Sequence, residues 1–320
     1  MFVWMSGILA FVIAWATVPY VRRLAFRWQF LDRPNQRKVH KAPLPLLGGV
    51  SMFVAFVVAA TVITYIQGSA PKVYPGILCG AALLFGIGLV DDYCKSRGRD
   101  FSPWPRLVTQ IVAAAAVVFS GGTVHGFSIP LHHPAYVQFP YWLSTFVTIV
   151  WIVGVINVFN FLDGLDGLAA GIASISAVTL LFVALVKGDV TSAIWAAAVT
   201  GSALGFLRHN FHPARIIMGD AGSTLLGFLL ATISVVGAFK SATVISIFVP
   251  VLALGVPIFD AIHVVIRRAM AGKPVYKPDK THGHHRLLNS GFSQVQAVTF
   301  MYLVSACFSL ASMILVLLQH

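Results

Sequence analysis

The chain has 320 residues, 58% hydrophobic and only 10% charged. A soluble domain carries about 25% charged residues, so this composition excludes one and describes a polytopic membrane protein, read as a single membrane domain over 1–320. The formal net charge of +12 has no basic soluble domain to sit on, which argues against nucleic acid as a partner.

Apolar stretches of spanning length run at about 2–21, 46–67, 73–90, 106–122, 141–159, 167–186, 190–207, 222–239, 243–266 and 294–318, giving an all-α protein of about ten transmembrane helices. Of 22 Lys and Arg, only Lys72, Lys187 and Lys240 fall in the even-numbered connections. The rest fall in 21–45, 91–106, 208–215 and 267–290. The positive-inside rule places those loops in the cytoplasm and both termini outside. The first span lacks a small-residue cleavage site and reads as a retained helix. Cys79, Cys94 and Cys307 show neither pairing nor metal spacing.

In chain order, the first inside loop carries Asp32, Pro34, Arg37, Lys38 and His40 ahead of Gly48–Gly49, more punctuation than a headgroup anchor requires. The third span ends in GLVDDYCKSRGRD. Asp91 and Asp92 are neighbours, so on a helix they point about 100° apart, and only one of them is expected to face Asn160 and Asp163 further along the chain. Paired carboxylates at a membrane boundary suit a divalent cation, a base, or both. Lys95, Arg97, Arg99 and Arg106 follow. The outside stretch from Gly121 to Tyr141 alternates like a small β-hairpin near 123–140, with His125, His132 and His133 as surface residues.

Residues 157–171 read NVFNFLDGLDGLAAG. Asn157, Asn160, Asp163 and Asp166 recur every three residues, so on a continuing helix all four can face one side. Polar groups against a bilayer are costly and normally face a cavity, a pathway or each other. Further on, RHNFHPARIIMGDAGSTLLGF sets Asp220 among glycines at a helix start. There, backbone N–H groups and the helix dipole favour an anion such as a metal-bound phosphate.

The ninth span contains Pro250, Gly255 and Pro257 and should break. Asp260 within it is expected to pair with Arg267 or Arg268. His282, His284, His285 and Arg286 then form a cationic, donor-rich loop. Zinc is the alternative for such a cluster, but there is no nearby Cys and the neighbours are cations, so phosphate or sugar fits better. Nine of ten acids fall on the inside face, Asp189 being the exception. Asp and Asn oxygens there suit Mg2+ or Mn2+ held with substrate phosphates. A proton-coupled transporter would instead predict acids near the midplane and an inverted repeat.

The blocks DDYCK (91–95), NVFNFLDGLDGLAAG (157–171), GDAGSTLLG (219–227), PDKTHGHHRLL (278–288) and DRPNQRKVH (32–40) resemble the polyprenyl-phosphate N-acetylhexosamine-1-phosphate transferases in order and topology. The HxHH form of the histidine block is similar to the undecaprenyl-phosphate GlcNAc-1-phosphate branch, which starts teichoic acid, O-antigen and enterobacterial polysaccharide synthesis. The muramoyl-pentapeptide branch would show three consecutive His after a Pro. The resemblance implies transfer of GlcNAc-1-phosphate from UDP-N-acetylglucosamine (UDP-GlcNAc) to undecaprenyl phosphate, releasing UMP, at the cytoplasmic face of the bacterial plasma membrane. Another UDP-N-acetylhexosamine, including UDP-MurNAc-pentapeptide, is the alternative donor. Besides membrane lipid, a second copy of the chain in a homodimer stays open as a partner.

Carried onto these positions, the resemblance makes Asp220 and Asn160 ligands of Mg2+ (or Mn2+), and Asp166 with Asn157 the uridine contacts. Asp91, Asp92 and Asp163 become the catalytic residues, Asp91 as the base or the positioner of the lipid phosphate, with Asp92 beside it. Lys95 and Arg106 meet phosphate, and His282, His284, His285 and Arg286 meet diphosphate and sugar. Relatives often continue Ser-Pro-Lys after the paired Asp block, whereas Ser102-Pro103 is followed here by Trp104, with Arg106 two further on.

Overall fold

The computed structural model describes residues 1–32, 42–68, 70–129, 135–238, 244–270 and 282–318. In chain order its elements are α1 (Phe2–Arg27), β1 (Leu31–Asp32), β2 (Leu44–Pro45), α2 (Gly48–Ile66), α3 (Tyr74–Ser96), α4 (Pro103–Phe119), β3 (Gly126–Ile129), β4 (Ala135–Gln138) and α5 (Tyr141–Leu162). There follow α6 (Leu168–Val186), α7 (Val190–Asn210), α8 (Gly219–Ile233) with a π-helical turn Ser234–Ala238, α9 (Val244–Ala253), α10 (Gly255–Met270), α11 (Gly283–Asn289) and α12 (Gln294–Leu317).

Among the described residues, eight helices are long and apolar enough to cross a membrane: α1, α2, α3, α5, α6, α7, α8 extended to Gly237, and α12. The other two expected crossings are α4, which is apolar but only 17 residues long, and the α9–α10 pair. That pair breaks at Leu254, between Pro250 in α9 and Pro257 in the first turn of α10, where a proline's missing N–H is an orphan donor anyway.

Lipid offers helices no hydrophobic incentive to associate, so membrane bundles rely on close backbone approach through small residues. The most extensive pair, α1 with α7, meets at Gly7, Gly201 and Gly205, and Ser6 Oγ donates across it to the Ile194 carbonyl at 3.0 Å. Helix α8 is buried along nearly its whole length, with α3, α5 and α2 around it. It is the axis of the bundle, and whatever its N-terminus carries is presented at the centre of one end.

The β3–β4 hairpin forms as expected, antiparallel from Gly126↔Gln138 to Ile129↔Ala135; the turn with His132 and His133 lies outside the described residues. A second strand pair, Leu31↔Pro45 and Asp32↔Leu44, is not evident from the sequence. It delivers the chain into the start of α2, where Gly48 N–H donates to the Ile217 carbonyl and Gly49 N–H to that of Met218, at 3.0 and 2.9 Å. A Cβ on Gly49 would run into the Gly222 backbone at 2.5 Å. The glycine pair is therefore a seam between the first turns of α2 and α8.

Candidate active site

Asp92 is fully buried at the end of α3, and both its oxygens are taken by backbone. They accept from the N–H groups of Asp220 at 2.8 Å and Ala221 at 3.1 Å. These are orphan donors of α8's first turn, at the positive end of its dipole. Asp92 thus caps a helix 128 residues away. Gly219 adopts φ +69, and a side chain there would strike the Asp92 carboxylate. The α8 N-terminus, expected from the sequence to receive a phosphate, is filled by the chain's own anion.

With its backbone held in this way, Asp220 projects its side chain toward α3 and α4. Lys95 Nζ lies 2.6 Å from Asp220 Oδ1 and 3.5 Å from Asp91 Oδ2. Arg106 lies 2.9 Å from Asp91 Oδ2 and 3.2 Å from Asp220 Oδ2. Lys95 and Arg106 each bridge Asp91 and Asp220. Two carboxylates and two cations therefore form one cluster, with the acids buried and the cations about a third exposed. Of the adjacent pair, Asp91 faces this cluster and Asp92 serves the helix cap. Arg106 is brought in although Trp104, not a lysine, follows Ser102-Pro103.

The NVFNFLDGLDG stretch does not continue as one helix. Helix α5 ends at Leu162, with Asp163 as its C-cap residue, and Gly167 at φ +79 opens α6. The four polar groups consequently diverge, which corrects the expectation of a single face. Asn157 pairs its amide with Gln110 of α4 at 2.7 Å. Asn160 Nδ2 donates to Ser223 Oγ of α8 at 3.0 Å, leaving its Oδ1 free of that bond. Asp163 is within electrostatic reach of Asp220, Asp32 and Asp166. Burial first, and then the Asp220 charge, push its carboxyl up to about 7. Asp166 accepts from His212 Nδ1 at 2.8 Å and from Ala214 N–H at 3.1 Å. Asn210 laces the same two loops together, accepting from Gly167 N–H and donating to the Ile216 carbonyl.

The histidines arrive on α11. His284 is buried and its Nε2 lies against Gly164, where a Cβ would come within 2.6 Å. Its Nδ1 has no partner among the described residues. Burial, followed by the neighbouring His285 and His282, pushes its imidazole down to about 3, so it is neutral at physiological pH. His285 packs on His284 with ring centroids 4.4 Å apart, and Arg286 contacts His263 of α10 at 3.0 Å. Asp260 does not take the arginine partner expected from the sequence. Its oxygens engage His282 Nδ1 at 2.8 Å and Gly283 N–H at 2.7 Å.

The structure thus gathers Asp91, Lys95, Arg106, Asn160, Asp163, Asp220 and His284 at one end of the bundle, with Asp166, His282, His285 and Arg286 around them. Arg37, Lys38, His40 and the stretch 278–281 lie outside the described residues. Sequence reasoning missed Gln110, Asn210, His212 and Ser223 as partners, and it left buried Asp32 without a role; each contact is long-range and carries no local signal. Acids at the bundle's end, not its middle, are not where proton-coupled transport would put them.

Among the described residues, no three or more His, Cys, Asp or Glu side chains converge on a point as a complete metal cage. The available oxygens are the carboxylates of Asp220 and Asp91 and the Asn160 amide. Mg2+ typically takes one or two protein carboxylates, several waters and substrate phosphate, so this donor set fits a metal that arrives with a phosphorylated ligand.

Fold and site together define a multi-span membrane protein with a charged cluster at one bundle end. The profile of glycosyl transferase family 4 matches residues 74–238. A probable undecaprenyl-phosphate N-acetylglucosaminyl 1-phosphate transferase of Bacillus subtilis is 36% identical over 315 residues, covering 96% of this chain and 84% of its own. A decaprenyl-phosphate N-acetylglucosaminephosphotransferase of Mycobacterium tuberculosis is 35% identical over 93% of this chain and 78% of its own. A phospho-N-acetylmuramoyl-pentapeptide-transferase of Desulforamulus reducens is 29% identical over 98% and 95%. The chain belongs to glycosyl transferase family 4, and is a membrane phospho-sugar transferase.

Proposed function

We propose that the protein transfers N-acetylglucosamine 1-phosphate from UDP-GlcNAc to undecaprenyl phosphate at the cytoplasmic face of a bacterial membrane. The observation that carries this reading is the Asp91–Lys95–Arg106–Asp220 cluster, flanked by Asn160 and His284 beside a broken membrane helix. A lipid phosphate approaches from the bilayer and a nucleotide sugar from water, so a charged cluster at the bundle's end suits both. The basic loops at that end support a cytoplasmic face for it.

In the reaction, an oxygen of the lipid phosphate attacks the β-phosphorus of UDP-GlcNAc. The bond from that phosphorus to the bridging oxygen breaks, and UMP leaves with the electron pair. One anhydride replaces another. A phosphate monoester has its second pKa near 6 and is mostly dianionic at neutral pH, so removing a proton from it contributes little. Bringing two anions together is the main barrier, and neutralising cations set in advance lower it. Lys95 and Arg106, held in the cluster by Asp91 and Asp220, can exchange carboxylate for phosphate oxygens. Asp220 and Asn160 would hold Mg2+, which supplies charge neutralisation on the diphosphate when bound. Asp163 orients the reactants beside them, Asp166 addresses the uracil from the α5–α6 turn, and the neutral His284 can bond a phosphate or sugar oxygen.

The test is purified protein with Mg2+, undecaprenyl phosphate and a panel of UDP-sugars including UDP-MurNAc-pentapeptide. UMP release is expected with UDP-GlcNAc and is lost in Asp220→Ala. Release without lipid phosphate, or undiminished in EDTA, would contradict the mechanism, and preference for the pentapeptide donor would reassign the sugar.

A further inference from the structure

Asp260 has no part in the mechanism above, yet both its carboxylate oxygens are engaged. It lies on α10, the second half of the broken segment, and reaches α11 across 22 positions of chain. One carboxylate oxygen accepts from His282 Nδ1 at 2.8 Å and the other from the next residue's backbone, Gly283 N–H, at 2.7 Å. Ring and main chain are held by one rigid group. Both side chains are about nine-tenths buried, where a charge-assisted hydrogen bond is strong and a broken one costly. The His282 ring is further confined by Phe161 of α5, 5.6 Å between centroids, and by His284, stacked at 5.8 Å. Because Nδ1 is spent on Asp260, the proton there is fixed and Nε2 is the ring atom left for another partner.

We infer that Asp260 is a positioning residue that fixes the tautomer and orientation of His282 so that its Nε2 meets the anionic substrate. The inference rests on the proposed function for what Nε2 meets, but the coupling of Asp260 to His282 stands apart from it. Asp260 touches no reactant; it acts through the ring, as the second partner of an oriented histidine does.

Two readouts test this on the full-length protein in detergent. The first is turnover. Asp260→Asn keeps the shape but removes the charge and replaces one of the two acceptor oxygens with a donor, and is expected to lower kcat on the order of 10- to 100-fold, the usual size of an orienting-partner effect. Asp260→Glu should recover part of the loss. Asp260→Asn combined with His282→Ala should be no slower than His282→Ala alone, because residues acting as a unit are non-additive. Losses that multiply in the double variant, or full activity in Asp260→Asn, would overturn the assignment. The second is the 15N spectrum of His282, expected to show Nδ1–H in the wild type and a tautomer mixture in Asp260→Asn. An unchanged spectrum in the variant would also overturn it. A wild type inert toward every UDP-sugar, with the spectral change intact, would instead contradict the transferase reading and support the coupling.

Discussion

The two ends of the helix bundle are built from different materials. The end opposite the charged cluster is fastened by neutral groups: Thr61 to Tyr74 at 2.8 Å, Trp195 Nε1 to Thr64 Oγ1 at 3.1 Å, and Ser144 Oγ to the Val124 carbonyl at 2.7 Å. The acid described there, Asp189, serves its own helix, accepting from Ser192 N–H at the start of α7. At the cluster end neutral bonds such as Asn160 to Ser223 are joined by charged contacts that tie α8 to α3 and α4, 114 to 129 residues apart in sequence. Neutral hydroxyls and indoles suffice to hold membrane helices together. Buried charges are costly to desolvate and add little net stability, so their concentration at one end marks work other than holding.

That contrast orders what substitutions should do. The largest effect is expected from Asp220→Ala, a loss of turnover on the order of 10³-fold or more, while Asp189→Ala should stay within about two-fold of wild type, since a cap at the far end affects only helix stability. An equal loss in both would erase the distinction between the ends. Next come the neighbours Asp91 and Asp92. Both alanine variants should lose activity, but Asp92→Ala also removes two charge-assisted bonds to the α8 backbone, each worth about 1.5–3 kcal/mol. Its unfolding temperature should fall by clearly more than that of Asp91→Ala.

Asp163 sharpens the comparison from the other side. Its carboxyl is pushed up to about 7, so between the ordinary carboxylate range and that value the folded state holds a proton that the unfolded chain has released. Stability from this group is present at low pH and is lost as pH rises through 7. Asp163→Asn, always neutral, should therefore unfold at a higher temperature than wild type at pH 8 without divalent ions. The gap should shrink toward pH 5 while activity stays low throughout. A variant less stable than wild type at pH 8 would show the carboxylate to be paired there. The smallest effect belongs to Asp189→Ala, about 1 kcal/mol of stability for a lost N-cap, read as a small shift in unfolding temperature with kcat unchanged.

The sequence was legible where one segment decides the outcome. Hydropathy placed the crossings, alternation placed the β3–β4 hairpin, and Pro250, Gly255 and Pro257 placed the break between α9 and α10. The division of labour between Asp91 and Asp92 was legible only as an angle; which residue faces which partner depends on where α8 begins, more than a hundred positions on. The helical register from Asn157 to Asp166 was misleading because Gly164 and Gly167 turn the chain after Leu162, so that Asp166 meets His212 and Asn157 meets Gln110. Asp260 looked toward arginines on its own helix and found His282 on another, because contacts across a broken helix have no period to read.

The central claim is that Asp220 and Asn160, beside the Lys95–Arg106 cluster, hold a divalent ion together with substrate diphosphate. Electron paramagnetic resonance of Mn2+ added to the purified protein with UDP-GlcNAc tests it directly. One bound Mn2+ with phosphorus hyperfine coupling, lost in Asp220→Ala and kept in Asp189→Ala, is the expected result. Coupling that survives Asp220→Ala, or no nucleotide-dependent binding at all, would contradict the account.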